Sequence, residues 1–116
     1  MTQQLLTEQR ASSRKSMSSI VPVFDAMTGE RLGHIGNISS GGLMVICQKE
    51  VGDGHLYQLH FSVPQDDEDD ASTFNVGAHC LWCSEAESTG TFWAGFEIID
   101  ISDDEASELE GMVLKI

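Results

Sequence analysis

From residue 18 onward, apolar and polar residues alternate in short runs separated by turn formers, the texture of a β-rich domain. The run over 56–63 is the cleanest: Tyr57, Leu59, Phe61 and Val63 alternate with Gln58, His60 and Ser62, so one face is buried and the other wet. Residues 73–83 repeat the pattern, with Phe74, Val76, Ala78, Cys80 and Trp82 in the inward phase. Their partner spans 91–99, with Phe92, Ala94, Phe96 and Ile98 inward, after a polar turn over 84–90. Earlier runs lie at 20–26, Arg31–Ile38 and 43–47. Pro22 lacks an amide hydrogen and suits an edge or a bulge. Residues 27–30 form the turn after the first run. Six short strands at this spacing predict a small antiparallel barrel, and no internal repeat is visible.

The periodicity changes at the C-terminus. Ala106, Leu109, Met112, Val113 and Ile116 recur at helical spacing and predict a helix over 102–115. Ser102 and Glu105 form a capping box, while Asp103 and Asp104 favour the positive end of the helix dipole. The apolar stripe is expected to pack on the barrel or to cover one end of it. Residues 1–17 have no periodicity and much Ser, Gln and charge, so they read as a flexible arm preceding a barrel-and-helix domain over 18–116.

Composition narrows the class. A chain of 116 residues with 41% hydrophobic residues makes one globular domain. No apolar stretch approaches the roughly eighteen residues of a membrane span, and the start carries no secretory pattern. Three cysteines, an odd number without a framework, fit a reducing compartment, so a cytoplasmic location is expected. The net charge of −13 excludes a nucleic-acid footprint. Charge is unevenly placed: residues 1–24 hold three cations and one acid, and the remainder three cations and eighteen acids. A small anion is repelled by the body and attracted by the arm. The acidic run 66–70 reads as a solvated loop, since it lacks the ligand spacing of a calcium loop.

Catalytic and metal constellations are missing from the pattern. Cys80-Leu81-Trp82-Cys83 matches Cys-x-x-Cys, but strand alternation puts the two thiols on opposite faces, with Cys80 in the core and Cys83 near the surface. His34, His55, His60 and His79 are scattered, although His60 and His79 fall on polar faces and could be neighbours. No nucleophile–base set, catalytic carboxylate pair, Walker loop or dinucleotide glycine motif is present, so the expectation is a binding protein with neither a metal nor a cofactor.

Two segments carry binding chemistry. Arg10-Ala11-Ser12-Ser13-Arg14 sets two guanidinium forks four positions apart, suited to phosphate oxygens and the acceptor edge of guanine. Asn37-Ile38-Ser39-Ser40-Gly41-Gly42 places an amide, hydroxyls and two glycines in a turn, supplying donors and close backbone approach. Alone, each is an ordinary surface feature. Together and in this order they resemble the signature of the PilZ family, Arg-x-x-x-Arg followed by Asp/Asn-x-Ser-x-x-Gly. The resemblance extends over about residues 8–110, including Trp93-Ala94-Gly95-Phe96-Glu97, which is similar to the family's late strand.

The resemblance implies a six-stranded antiparallel PilZ-type barrel with a C-terminal helix, and a receptor for the bacterial second messenger cyclic di-GMP. It implies that Arg10 and Arg14 grip phosphates and guanine edges, that Asn37 and Ser39 hydrogen-bond a guanine, and that Gly42 allows close backbone approach, with Gly41 beside it. Gln9, just before the first arginine, bears on whether one ligand or an intercalated pair is held. Trp82 has two readings, a stacking face for the ligand or a buried barrel tryptophan. A lone receptor domain is expected to relay its signal to a downstream protein in motility, adhesion or biofilm control. The alternative is a PilZ-like interaction scaffold without nucleotide.

Overall fold

The computed structural model describes residues 15–16, 20–64, 71–87 and 90–114. Seven strands and one helix follow in order: β1 (Lys15–Ser16), β2 (Pro22–Asp25), β3 (Arg31–Ile38), β4 (Gly42–Cys47), β5 (Leu56–Pro64), β6 (Ala71–Glu85), β7 (Phe92–Asp100) and α1 (Asp103–Leu114). All pairings are antiparallel, and the sheet order β3–β2–β5–β6–β7–β4 closes on itself through a β3–β4 pairing. The result is a six-stranded closed barrel followed by one helix. Closure gives each of the six strands a partner on both sides over part of its length. The seventh strand, β1, adds two residues beside the far end of β3, pairing Lys15 with Ile38 and Ser16 with Asn37. These two residues belong to the segment read from sequence as a flexible arm. The rest of that arm that holds Gln9, Arg10 and Arg14, and the acidic run 66–70, lie outside the described residues.

Alternation fills the barrel. Val23, Ile35, Ile38, Leu43, Val45, Leu59, Phe61, Phe74, Val76, Ala78, Cys80, Ala94 and Phe96 point inward and are buried. Phe61 and Phe74 face each other across β5 and β6 and stack with centroids 5.4 Å apart. Leu109, Met112 and Val113 of α1 join the same core, so the helix stripe packs on the barrel.

The helix start departs from the expected reciprocal box. The amide of Glu105 donates to Ser102 Oγ at 3.2 Å, as a cap requires. The Glu105 carboxylate turns instead to β6, where Oε1 accepts the amide of Asn75 at 3.0 Å. One turn later the Ser72 hydroxyl donates to Glu108 Oε2. Two acidic side chains therefore tie the helix to a strand whose backbone would otherwise face water.

The inward phase predicted for Trp82 is not what forms. The β6–β7 register shifts between Cys80 and Trp82: Cys80 pairs with Phe96, but Trp82 pairs with Gly95 and Cys83 with Ala94. Leu81 is the extra residue, and one extra residue exchanges the two faces of everything after it. Trp82 is turned outward and is 42% exposed, while Cys83 is turned toward the core. The opposite-face argument for Cys80 and Cys83 is thereby overturned, because the bulge sets both inward. Their setting still does not favour thiolate chemistry. Burial pushes the Cys47 thiol up to about 12, with Cys83 and Cys80 adding to the effect. Burial also raises Cys80, with Cys83 contributing next. Among the described residues no group of three or more His, Cys, Asp or Glu side chains is placed to hold a metal ion, and no helix is long and apolar enough to cross a membrane.

Candidate functional site

An open cavity of about 470 Å³ lies on the outer face of the barrel where β3, β4, β7 and β6 run side by side. The 37–42 turn supplies one wall through Asn37, Ser39, Gly41 and Gly42. Leu81 and Trp82 supply the opposite wall, with Met44, Gly95 and Glu97 between them. The strand register explains the grouping. One ladder row runs Ser16, Asn37, Met44, Gly95, Trp82 across five strands. The row beside it on the same face runs Gly42, Glu97, His79. Residues far apart in sequence thus share one surface because outward positions line up across antiparallel neighbours.

Ser39 holds the turn together. Its amide and hydroxyl both donate to the carbonyl of Gly42, at 2.8 and 3.3 Å, and the hydroxyl accepts the amide of Gly41 at 3.4 Å. The residue is only 2% exposed. The carbonyl of Gly41 accepts the amide of Ile98 at 2.9 Å, anchoring the turn to β7. Gly42 cannot carry a side chain without moving the backbone, because a Cβ there would stand 2.3 Å from the carbonyl oxygen of Phe96. Close approach of the backbone at Gly42 is therefore made first of all to β7.

The floor of the cavity depends on a second glycine. A Cβ on Gly95 would lie 2.3 Å from Trp82 Nε1 and 2.5 Å from Cε2, so the indole lies directly over this glycine. A strand glycine that admits a close neighbour is a recurrent device. Here it brings the indole of Trp82 onto the sheet surface, where the residue stays 42% exposed. Replacing Gly95 with alanine forces the indole outward. In a Trp93→Phe background, where Trp82 is the sole reporter, we expect faster acrylamide quenching of its fluorescence. The accompanying loss of stability is about 1 kcal/mol, at the low end for overpacking, because the ring can swing into solvent. Unchanged quenching would mean that Gly95 does not set the indole.

Of the residues singled out from sequence, Asn37, Ser39, Gly41, Gly42 and Trp82 are brought to this one cavity. Gln9, Arg10 and Arg14 lie outside the described residues, but Arg14 is bonded to Lys15, whose backbone pairs with Ile38 at the cavity's edge. Met44, Gly95 and Glu97 were not identified as site residues. A signal for Gly95 and Glu97 existed in Trp93-Ala94-Gly95-Phe96-Glu97, where alternation puts them outward. Another opening, of about 390 Å³, lies at Ile20, Arg31, His34 and Gln48 and contains none of the motif residues.

Comparison with known proteins agrees with this picture. The family model for the PilZ domain matches residues 8–115. Among solved structures, the Bacillus subtilis inhibitor of motility (MotI/DgrA) superposes with a TM-score of 0.74 at 16% identity, covering 92% of this chain and 50% of that one. This chain thus spans about half the length of that protein. The PilZ domain with cyclic di-GMP of Escherichia coli YcgR superposes with a TM-score of 0.67 at 15% identity, covering 90% of this chain and 88% of that one. At these identities the superpositions speak for the fold. No curated protein matches the chain in sequence.

Proposed function

This chain belongs to the PilZ domain family, and on that premise we propose that it is a receptor for cyclic di-GMP that relays the signal to a partner protein. The fold neighbour from Escherichia coli YcgR is a PilZ domain with this nucleotide, and both halves of the family signature stand in this sequence.

The observation that carries the proposal is the pairing of Lys15–Ser16 with Ile38 and Asn37. It sets Ser16, two residues after Arg14 in the sequence, beside Asn37 of the cavity, which supports a contribution of the arginines to this site. Arg14 is one Cα step, about 3.8 Å, from Lys15, and Arg10 is four residues earlier. The ligand carries two phosphate charges, and no described residue lining the cavity is a cation. Charge must come from the arginine segment, whose guanidinium forks match phosphate oxygens and the N7/O6 edge of guanine. The cavity offers the complementary parts: the Asn37 amide, the turn shaped by Ser39 and Gly42, and the exposed indole of Trp82 as an aromatic partner for a base. Gln9 adjoins Arg10 and bears on whether one or two nucleotides stack there.

This reading makes the protein an adaptor rather than a catalyst, acting in a cytoplasmic pathway of motility, adhesion or biofilm control. Bound nucleotide would change the surface that a partner meets. Trp93 and Ile99, exposed on β7 beside the cavity, offer apolar area for that contact. Calorimetric titration of the purified protein with cyclic di-GMP tests the receptor. Micromolar or tighter binding is expected, and its molar ratio reports the stoichiometry. Absence of binding at both low and physiological salt would favour an interaction scaffold without nucleotide. For the relay, a pull-down returning identical partners with and without the nucleotide would count against it.

A further inference from the structure

Glu97 is the only ionisable side chain among the described residues that line the cavity. It is exposed, and among the described residues no ion pair or hydrogen bond engages its carboxylate. A bare carboxylate is a poor neighbour for a dianion, because like charges repel unless the acid accepts hydrogen bonds from the ligand. The conflict is resolved if the group facing Glu97 is an uncharged donor edge rather than a phosphate.

Guanine supplies such an edge. Its N7 and O6 accept, while N1–H and the 2-amino group donate side by side, a spacing that a carboxylate oxygen pair can meet. Adenine presents a lone pair at N1 instead and would set acceptor against acceptor. The register gives the arrangement. Glu97 pairs with Gly42 and follows Gly95 by two residues on the same outward face. A base resting on the Gly95–Trp82 floor therefore has Glu97 at one edge and Asn37 on the far side of β4. Gly42 has no side chain to stand between the carboxylate and the turn.

We propose that Glu97 accepts the N1–H and 2-amino donors of a guanine and is a specificity-determining residue of this site. The proposal rests on the receptor reading above and adds the orientation of the base, with its donor edge toward β7.

The test is calorimetric titration of the wild-type protein and of Glu97→Ala with two nucleotides, cyclic di-GMP and its inosine counterpart cyclic di-IMP, which lacks only the 2-amino groups. The wild type is expected to prefer cyclic di-GMP by about tenfold or more, the scale of a hydrogen bond to a charged acceptor. In Glu97→Ala that preference is expected to fall to about threefold or less, with cyclic di-IMP, which keeps N1–H but lacks the 2-amino donor, weakened several-fold less than cyclic di-GMP. An unchanged preference in the variant would overturn the inference while leaving the receptor intact. Equal loss of both nucleotides would overturn it too, since Glu97 would then support the site without reading the base. Tighter binding of cyclic di-GMP by the variant would make Glu97 a repulsive bystander. Failure of the wild type to bind either nucleotide would overturn the receptor reading and the inference with it.

Discussion

Replacing Phe74 with alanine is expected to lower the free energy of unfolding by about 3–5 kcal/mol. Phe74 is fully buried, lies directly across from Phe61 in the β5–β6 ladder, and stacks on it with centroids 5.4 Å apart and planes 28° from parallel. Truncation removes the transfer free energy of the ring, leaves a cavity beside Phe61, and forfeits the aromatic pair, itself worth roughly 0.5–1.5 kcal/mol. The site cannot collapse cheaply, because Phe74 is held in the β5–β6 ladder opposite Phe61 and the Glu105 carboxylate fixes the amide of Asn75 beside it. Domains of this size are stable by about 5–15 kcal/mol, so the change removes a large share of the total stability. Denaturant titration measures this as a lower midpoint at nearly constant slope. A loss below about 1 kcal/mol would mean that this layer of the core is loosely packed.

The largest functional effect is expected at Arg14. Arg14→Ala should weaken cyclic di-GMP binding about a hundredfold or more, since charge-assisted and bidentate hydrogen bonds are each worth about 1.5–3 kcal/mol and no described cation lines the cavity to replace them. Arg14→Lys keeps the charge but not the fork, and should recover only part of the affinity. Neither change touches a residue of the described core, so the unfolding midpoint should stay where it is. Near-normal binding by Arg14→Ala would remove the arginine segment from the site.

How far the sequence could be read follows from how local each feature is. The strand Arg31–Ile38 was legible to the residue and β5 to within one, because alternation over eight or nine residues is a long signal and turn formers bracket it. The helix was legible from its stripe and its cap, and the barrel with its closing helix from the six runs together with the family signature. Three things were not. The bulge at Leu81 reverses the face of Trp82, yet His79-Cys80-Leu81-Trp82-Cys83 contains no Gly or Pro to announce it. The Glu105 side chain leaves its own cap for the amide of Asn75, a partner thirty residues away that a local motif cannot foresee. Lys15–Ser16 pairs with Ile38 and Asn37 over two residues only, and two polar residues give no strand signal. Asn37, Ser39, Gly41, Gly42 and Trp82 were singled out by residue type and by the family signature, and they share one cavity. Glu97 lines it too but was not singled out, because a lone glutamate at an outward strand position carries no local signature.

The central claim is that cyclic di-GMP occupies the cavity between the 37–42 turn and Trp82. Two-dimensional amide NMR of the labelled protein, recorded with and without the nucleotide, tests it most directly. The account predicts saturable shifts at Asn37, Gly41, Gly42, Gly95 and Glu97, and at the Trp82 indole proton, with the amides of Arg31, His34 and Gln48 at the other opening unmoved. No shifts at saturating nucleotide, or shifts confined to that other opening, would contradict it.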